Sequence, residues 1–116
     1  MDTGRTLHIF GGGVFVRHAI IAARSAGWRI ILRTGERFLD GLKDCDSEDV
    51  TLLVGNSLSE LMAEGGLPKD GDIGISFSAP WVIPKKVIDS FGGLIFNLHN
   101  QPLPRFRGGG GSSWNI

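Results

Sequence analysis

The stretch LHIFGGGVFVRHAIIAARSAG, residues 7–27, decides the fold because it joins a strand pattern to a helix pattern through three glycines. Residues 7–10 form a short apolar run, which predicts a buried strand. Apolar residues at helical spacing then predict a helix, and Gly27 ends it. The residues predicted to share one face of this helix are Val14, Ala19 or Ile20, Ala22, Ala23 and Ala26. A strand, a glycine turn and a helix in this order form the first unit of an α/β domain.

The alternation of strands and helices continues along the chain. Further apolar runs predict four more strands, at residues 28–33, 50–54, 72–77 and 94–98. Residues 36–43 predict one or two helical turns, and Ser57 with Glu60 has the spacing of a capping box. Pro84 suits the first turn of another helix. The sequence therefore predicts right-handed βαβ units in a doubly wound, mostly parallel α/β sheet.

Composition narrows the class of protein. The chain has 116 residues, of which 41% are hydrophobic, as expected for one globular domain or part of one. Lysine plus arginine and aspartate plus glutamate number 12 each, so the overall charge attracts neither nucleic acid nor anionic lipid. Cys45 is the single cysteine, and no apolar leader or membrane-spanning run is present. We expect a cytoplasmic protein without a membrane partner.

The glycines after the first strand favour an anion over a dinucleotide. The fingerprint G-x-G-x-x-G is not met, because Val16 stands at the third glycine position. The second strand ends in Arg33 and Thr34 rather than in an acidic residue. A glycine turn at a helix N-terminus still suits a phosphate, so Gly12 and Gly13 are predicted to bind a substrate phosphate. A tight turn without a ligand is the equal alternative.

Polar residues follow the fifth predicted strand, at the edge where parallel sheets bind ligands. Asn97 and His99 fall on the same side of that strand, because strand residues alternate. An amide and an imidazole aimed into one crevice suit acyl transfer, since both can donate hydrogen bonds to a developing oxyanion. A purely turn-forming role is the alternative.

This segment resembles the signature of the formyltransferases that use N10-formyltetrahydrofolate. That family includes glycinamide ribonucleotide transformylase, methionyl-tRNA formyltransferase and the nucleotide-sugar N-formyltransferases. The residues that carry the resemblance are Asn97, His99, Leu103, Pro104, Gly108 and Trp114. Upstream, the resemblance extends over residues 71–73 and 83–84. It implies a Rossmann-like formyltransferase fold.

The resemblance implies transfer of a formyl group from N10-formyltetrahydrofolate to a primary amine, with no metal. Asn97 and His99 would be catalytic. The residues implied to bind the formyl donor are Pro80, Trp81, Val82, Ile83, Gln101, Pro102, Leu103 and Pro104. Packing in the core or in loops is the alternative for each residue of 80–83. Apart from the resemblance, Arg105 and Arg107 flank Phe106 and are candidates to meet a substrate phosphate or the folate carboxylates, and a solvated pair is the alternative.

The acceptor is expected to be a small, nucleotide-linked amine. Asn100, after the histidine, resembles the nucleotide-sugar branch, so an amino-sugar nucleotide is the expected acceptor. The alternatives are methionyl-tRNA, another amine, or a catalytically incomplete module that binds folate or nucleotide. The oligomeric state is left open between a monomer and a homodimer.

The third catalytic residue that the resemblance implies is an aspartate downstream of the histidine. No aspartate follows His99 in this sequence. Ser112 or Ser113 has the character of a helix N-cap, and the sequence stops at Ile116. We therefore expect residues 1–116 to be the N-terminal part of a formyltransferase catalytic domain, truncated on its C-terminal side.

Overall fold

The structure is a computed structural model that describes residues 4–77 and 81–98. The first half of the chain contains β1 (Thr6–Gly11), α1 (Val14–Ser25), β2 (Arg29–Thr34), a 3₁₀ turn (Glu36–Phe38), α2 (Leu39–Leu42) and a second 3₁₀ turn (Lys43–Cys45). The second half contains β3 (Val50–Val54), α3 (Leu58–Gly65), β4 (Ile73–Phe77), α4 (Lys85–Ser90) and β5 (Ile95–Leu98). All five predicted strands are confirmed within one residue at each end.

The strands form one parallel sheet in the order β3-β2-β1-β4-β5. From the central strand β1, the chain builds outward through β2 and β3, then returns to the other side of β1 for β4 and β5. Such a reversal needs crossover connections on both faces of the sheet. The predicted doubly wound α/β fold is confirmed for the described residues.

Each face of the sheet has its own core, because side chains alternate along a strand. On the α1 face, Leu7 and Ile9 pack with apolar side chains of β2, β3, α1 and α2. On the α3–α4 face, Phe10 and Ile95 pack with apolar side chains of α3 and α4. The central strand is therefore buried on both sides, as parallel sheets require.

The predicted buried face of α1 is partly wrong. Val16, Ile20 and Ala23 are buried, whereas Val14 is 61% exposed. Ala22 and Ala26 are also exposed, and Ala19 is half-buried. Because α1 carries apolar residues around most of its circumference, periodicity permits more than one buried stripe. Contact with the sheet selects the stripe at positions i, i+4 and i+7.

Two of the predicted helices, α3 and α4, begin at or next to the predicted residues. The Ser57 hydroxyl accepts a hydrogen bond from the Glu60 backbone N–H at 3.3 Å, which confirms Ser57 as the N-cap of α3. Pro84 is the N-cap of α4 rather than a residue of its first turn. None of the helices in the described part of the chain has the length and apolar character needed to cross a bilayer.

Candidate functional site

The carboxyl ends of β1 and β4 lie side by side at the point where the strand order reverses. The Gly12 backbone N–H donates to the Phe77 carbonyl at 3.1 Å, so the glycine turn touches the end of β4. α1, which follows β1, and α4, which follows β4, pack on opposite faces of the sheet, and doubly wound sheets bind ligands at such a point. The predicted phosphate turn and the segment after β4 therefore border the same end of the sheet.

The two glycines assigned to a substrate phosphate have different surroundings. Gly12 is buried, and a Cβ atom built on it would lie only 2.2 Å from Cγ of Phe38. Gly13 is exposed, has φ of 101°, and has open space where a Cβ would stand. Gly12 therefore has a packing role, and Gly13 is the member of the pair that a ligand can reach.

A cavity of about 350 Å³ adjoins the N-terminus of α1. Its lining residues are Gly13, Val14, Arg17, Arg37, Phe38, Gly41 and Leu42. Gly13 supplies no side-chain cap and the first turn holds no acidic residue, so the helix N-terminus adds positive potential. With two arginines beside it, this cavity suits an anion.

The two arginines of this cavity have different partners. Arg17 donates to the Asp44 carboxylate at 2.8 Å and to the Gly41 carbonyl at 2.7 Å. The hydrogen bond from Arg17 lowers the pKa of Asp44, so this pair stays ionised at neutral pH. The Arg37 guanidinium lies 4.7 Å from the centre of the Phe38 ring. Asp44 offsets part of the positive charge on the Arg17 side of the cavity.

Asn97 lies in β5, one residue before the end of that strand, and is half-buried. Its register partner on β4 is Ser76, which pairs in turn with Phe10 of β1. It shares the α3–α4 face with Ile95, two residues earlier. The amide is thus near the carboxyl edge of the sheet, as predicted. Its intended partner His99 lies outside the described residues.

The residues assigned to the formyl donor in the segment before α4 differ in their exposure to solvent. Ile83 is 4% exposed and packs in the α3–α4 core, which is the packing alternative noted for it. Trp81 is half-buried against the same core. Val82 is 90% exposed. The other residues assigned to donor or substrate, namely Pro80, Gln101, Pro102, Leu103, Pro104 and Arg107, lie outside the described residues.

A buried polar cluster on the α3–α4 face was not predicted as a unit. His8 Nε2 lies 3.0 Å from the Asp72 carboxylate, and His8 Nδ1 lies 2.9 Å from an Arg33 guanidinium nitrogen. Arg33 also donates to the carbonyls of Leu61 and Gly66, at 3.1 and 2.9 Å. The sequence signals were an arginine inside an apolar strand and an aspartate at the start of another. His8 is thus a buried, hydrogen-bonded residue of the central strand.

Cys45 lacks the environment of a reactive thiol. Burial raises its pKa, and the Asp44 carboxylate adds to this effect, while Arg17 opposes both. The acidic neighbour Asp44 is therefore a smaller cause than burial. Among residues 4–77 and 81–98, no three histidine, cysteine, aspartate or glutamate side chains converge as a metal-binding group.

Comparison of the chain with protein-family models, with curated proteins and with solved structures returned no match. The fold is accordingly assigned from strand order and packing, as an α/β, Rossmann-like arrangement.

Proposed function

We propose that this chain carries part of the active site of an enzyme that transfers a formyl group from N10-formyltetrahydrofolate to a primary amine. The observation that supports the proposal best is the position of Asn97 near the carboxyl end of β5. β5 pairs with β4, one of the two strands at the reversal of strand order, where doubly wound sheets bind ligands. The spacing of Asn97, His99 and Leu103-Pro104 in the sequence agrees with this role.

The chemistry assigns a donor role to each of these two side chains. The amine nitrogen attacks the formyl carbon, and the carbonyl oxygen becomes an oxyanion in the tetrahedral intermediate. The Asn97 amide N–H and the protonated His99 imidazole donate hydrogen bonds to that oxyanion. The C–N10 bond then breaks, and the proton lost by the amine passes to N10. The resemblance also implies an aspartate that supports the charge on His99, and no aspartate follows His99 in this sequence.

Within the described part of the donor segment, only Trp81 and Val82 offer side chains to a pterin. Trp81 retains an accessible part while packing on the α3–α4 core, and Val82 is almost wholly exposed. Apolar surface that frames a flat ring is typical of ligand pockets. Ile83 supports this segment from within the core and does not itself reach the ligand.

The cavity at the N-terminus of α1 favours an acceptor that carries phosphate. Arg37 and the helix N-terminus give it positive potential, whereas Asp44 offsets part of the charge of Arg17. A nucleotide-linked amino sugar has both the phosphates for this cavity and an amine for transfer. This acceptor is favoured over methionyl-tRNA, because the sequence as a whole has no excess of basic residues.

The test uses the complete translation product of the gene, with N10-formyltetrahydrofolate and a panel of amino-sugar nucleotides and other amines. We expect tetrahydrofolate release with at least one amine. Asn97→Ala and His99→Ala should each lower kcat by about 100-fold or more, because each removes an oxyanion donor. The matched controls are the exposed residues Asn56 and His18, whose alanine variants should retain the rate. No release with any amine, or full rate in the Asn97 and His99 variants, contradicts the proposal.

The second candidate is a module that binds a nucleotide or folate without chemistry, and the cavity beside Gly13 is the observation that favours it. Calorimetry with a nucleoside diphosphate, together with the transfer assay, distinguishes the enzyme from the binding module. Binding that depends on Arg37, with no formyl transfer to any amine, would establish the module. Transfer that depends on Asn97 would establish the enzyme.

A further inference from the structure

We propose that the Arg33–His8–Asp72 cluster is a proton-sensitive link between the sheet and the C-terminal end of α3, and that protonation of His8 releases this end. The cluster joins three parts of the fold. His8 comes from the central strand, Arg33 comes from β2, and Asp72 precedes β4. As whole residues, His8 and Arg33 are 1% and 0% exposed.

The hydrogen bonds determine which nitrogen of His8 carries the proton. A guanidinium can only donate, so Nδ1 of His8 must accept from Arg33 through its lone pair. The proton therefore sits on Nε2, which donates to the Asp72 carboxylate at 3.0 Å. Asp72 also accepts from the backbone N–H groups of Thr6 and Lys69, at 3.0 and 2.9 Å. A neutral imidazole thus separates one buried cation from one anion.

Uptake of a second proton removes the acceptor that Arg33 needs. Nδ1 would then carry an N–H directed at a guanidinium N–H 2.9 Å away, and two positive charges would meet in a buried site. Burial and the Arg33 charge lower the pKa of His8, and the contact with Asp72 opposes them. Burial lowers the pKa of Arg33 to about 10, so at neutral and mildly acidic pH Arg33 stays charged. Arg33 must therefore move when His8 is protonated.

Movement of Arg33 affects α3 because two of its hydrogen bonds end there. Nε donates to the carbonyl of Leu61, and an Nη donates to the carbonyl of Gly66, the C-cap of α3. In the described part of the chain, the charged groups next to His8 are Arg33 and Asp72. From the end of α4, the uncharged ring of Phe91 lies edge-on to His8, with 5.2 Å between the ring centroids. Asp72 cannot replace Arg33 at the carbonyls, because a carboxylate only accepts.

Release of the C-terminal end of α3 would affect a cavity of about 460 Å³ that lies between α3 and α4. Met62, Ala63 and Leu67, which border the C-terminal end of α3, form part of its wall. The protonation state of His8 therefore sets how firmly this wall is held. This link lies in the core of the fold and does not depend on formyl transfer.

Amide hydrogen exchange of the whole 116-residue chain tests the proposal at pH 7.5 and 5.5, with each rate corrected for the intrinsic effect of pH. Protection at residues 62–66 should fall at pH 5.5, by at most about tenfold, which is the limit for one proton on a group with an ordinary pKa of 6.5. Residues 26 and 27, which close α1 on the other face, should change much less. His8→Gln keeps a donor and an acceptor but takes up no proton, so its protection should not respond to pH. Equal responses in both proteins overturn the proposal.

Imidazole ¹⁵N shifts of the unsubstituted chain provide a test that does not depend on a variant that folds. His8 should be the Nε2–H tautomer at pH 7.5, and its titration should coincide with the loss of protection at residues 62–66. An Nδ1–H tautomer at pH 7.5, or titration of His8 with no change at those amides, overturns the proposal.

Discussion

Single residues in this fold have their roles set by contacts from distant parts of the chain. Gly12 shows this best, because its absent side chain is what lets Phe38 pack against the turn. The same glycine invites a ligand-binding interpretation from the sequence. Its buried position assigns it to packing, and the exposed Gly13 remains the candidate for ligand contact.

We expect Gly12→Ala to lower the free energy of unfolding by about 1–3 kcal/mol, the usual cost of overpacking a buried site. The added methyl would lie 2.2 Å from Cγ of Phe38, and a ring so placed cannot give way without moving the turn. Urea unfolding measures the effect.

Gly41→Ala is the matched control, because its Cβ would have nothing within 4 Å. Gly41 lies in α2, so alanine there should leave stability unchanged or raise it by a few tenths of a kcal/mol. Equal losses in the two variants would show that contact with Phe38 is not what matters at Gly12.

At the scale of elements, α3 begins and ends by different means. Its first turn is held locally, by the Ser57 hydroxyl on the Glu60 N–H. Its last turn is held by Arg33 from another element. Local sequence predicts the first of these and not the second, because a capping box lies within four residues.

Ser57→Ala should destabilise the protein by about 1 kcal/mol, since an orphan N–H of the first turn loses its acceptor. Thermal unfolding followed by circular dichroism provides the measurement. Ser57→Asp is the control, as a carboxylate accepts the same hydrogen bond at a favourable helix end. A loss of stability in the aspartate variant as large as in the alanine variant would argue against the cap.

At the scale of the whole molecule, the buried cluster links stability to pH. Burial and the Arg33 charge lower the pKa of His8 below its ordinary value of 6.5 in the folded state. The unfolded chain therefore binds this proton more readily, and the stabilisation is complete only above pH 6.5. It is lost as pH falls from 6.5 through the folded pKa.

Asp72 acts in a lower pH range. Burial works to raise its pKa, but hydrogen bonds from Lys69, His8 and Thr6 outweigh burial and lower the pKa below the ordinary 3.8. A carboxylate with a lowered pKa contributes its full stabilisation above its ordinary pKa of 3.8. This stabilisation is lost as pH falls from 3.8 through the lowered pKa of the folded state. Because the pKa values of His8 and Asp72 are both lowered in the fold, both groups make the free energy of unfolding decrease at acidic pH.

We expect the free energy of unfolding to fall between pH 7 and pH 5 with a slope of at most about 1.4 kcal/mol per pH unit for one proton. Urea titrations at pH 7.5, 6.0 and 5.0 measure it. His8→Gln should flatten the slope in this range, whereas His18→Gln, at an exposed position on α1, should retain it. A slope that survives in His8→Gln would assign the proton to another group.

The sequence by itself determined the succession of strands and helices along the chain, the parallel, doubly wound class of fold, and the position of Asn97 near a strand end. These follow from local periodicity, turn residues and caps, which act over a few residues. The segment that resembles the formyltransferase signature is local too, and the proposed chemistry rests on that resemblance.

Only the tertiary structure decided which stripe of α1 is buried, that Gly12 packs against Phe38, and that Arg33, His8 and Asp72 form one cluster. The hydrogen bonds of His8 join residues 64 and 25 positions apart in the chain. No local pattern encodes such pairings, because they depend on strand order and register, which arise only when the sheet assembles.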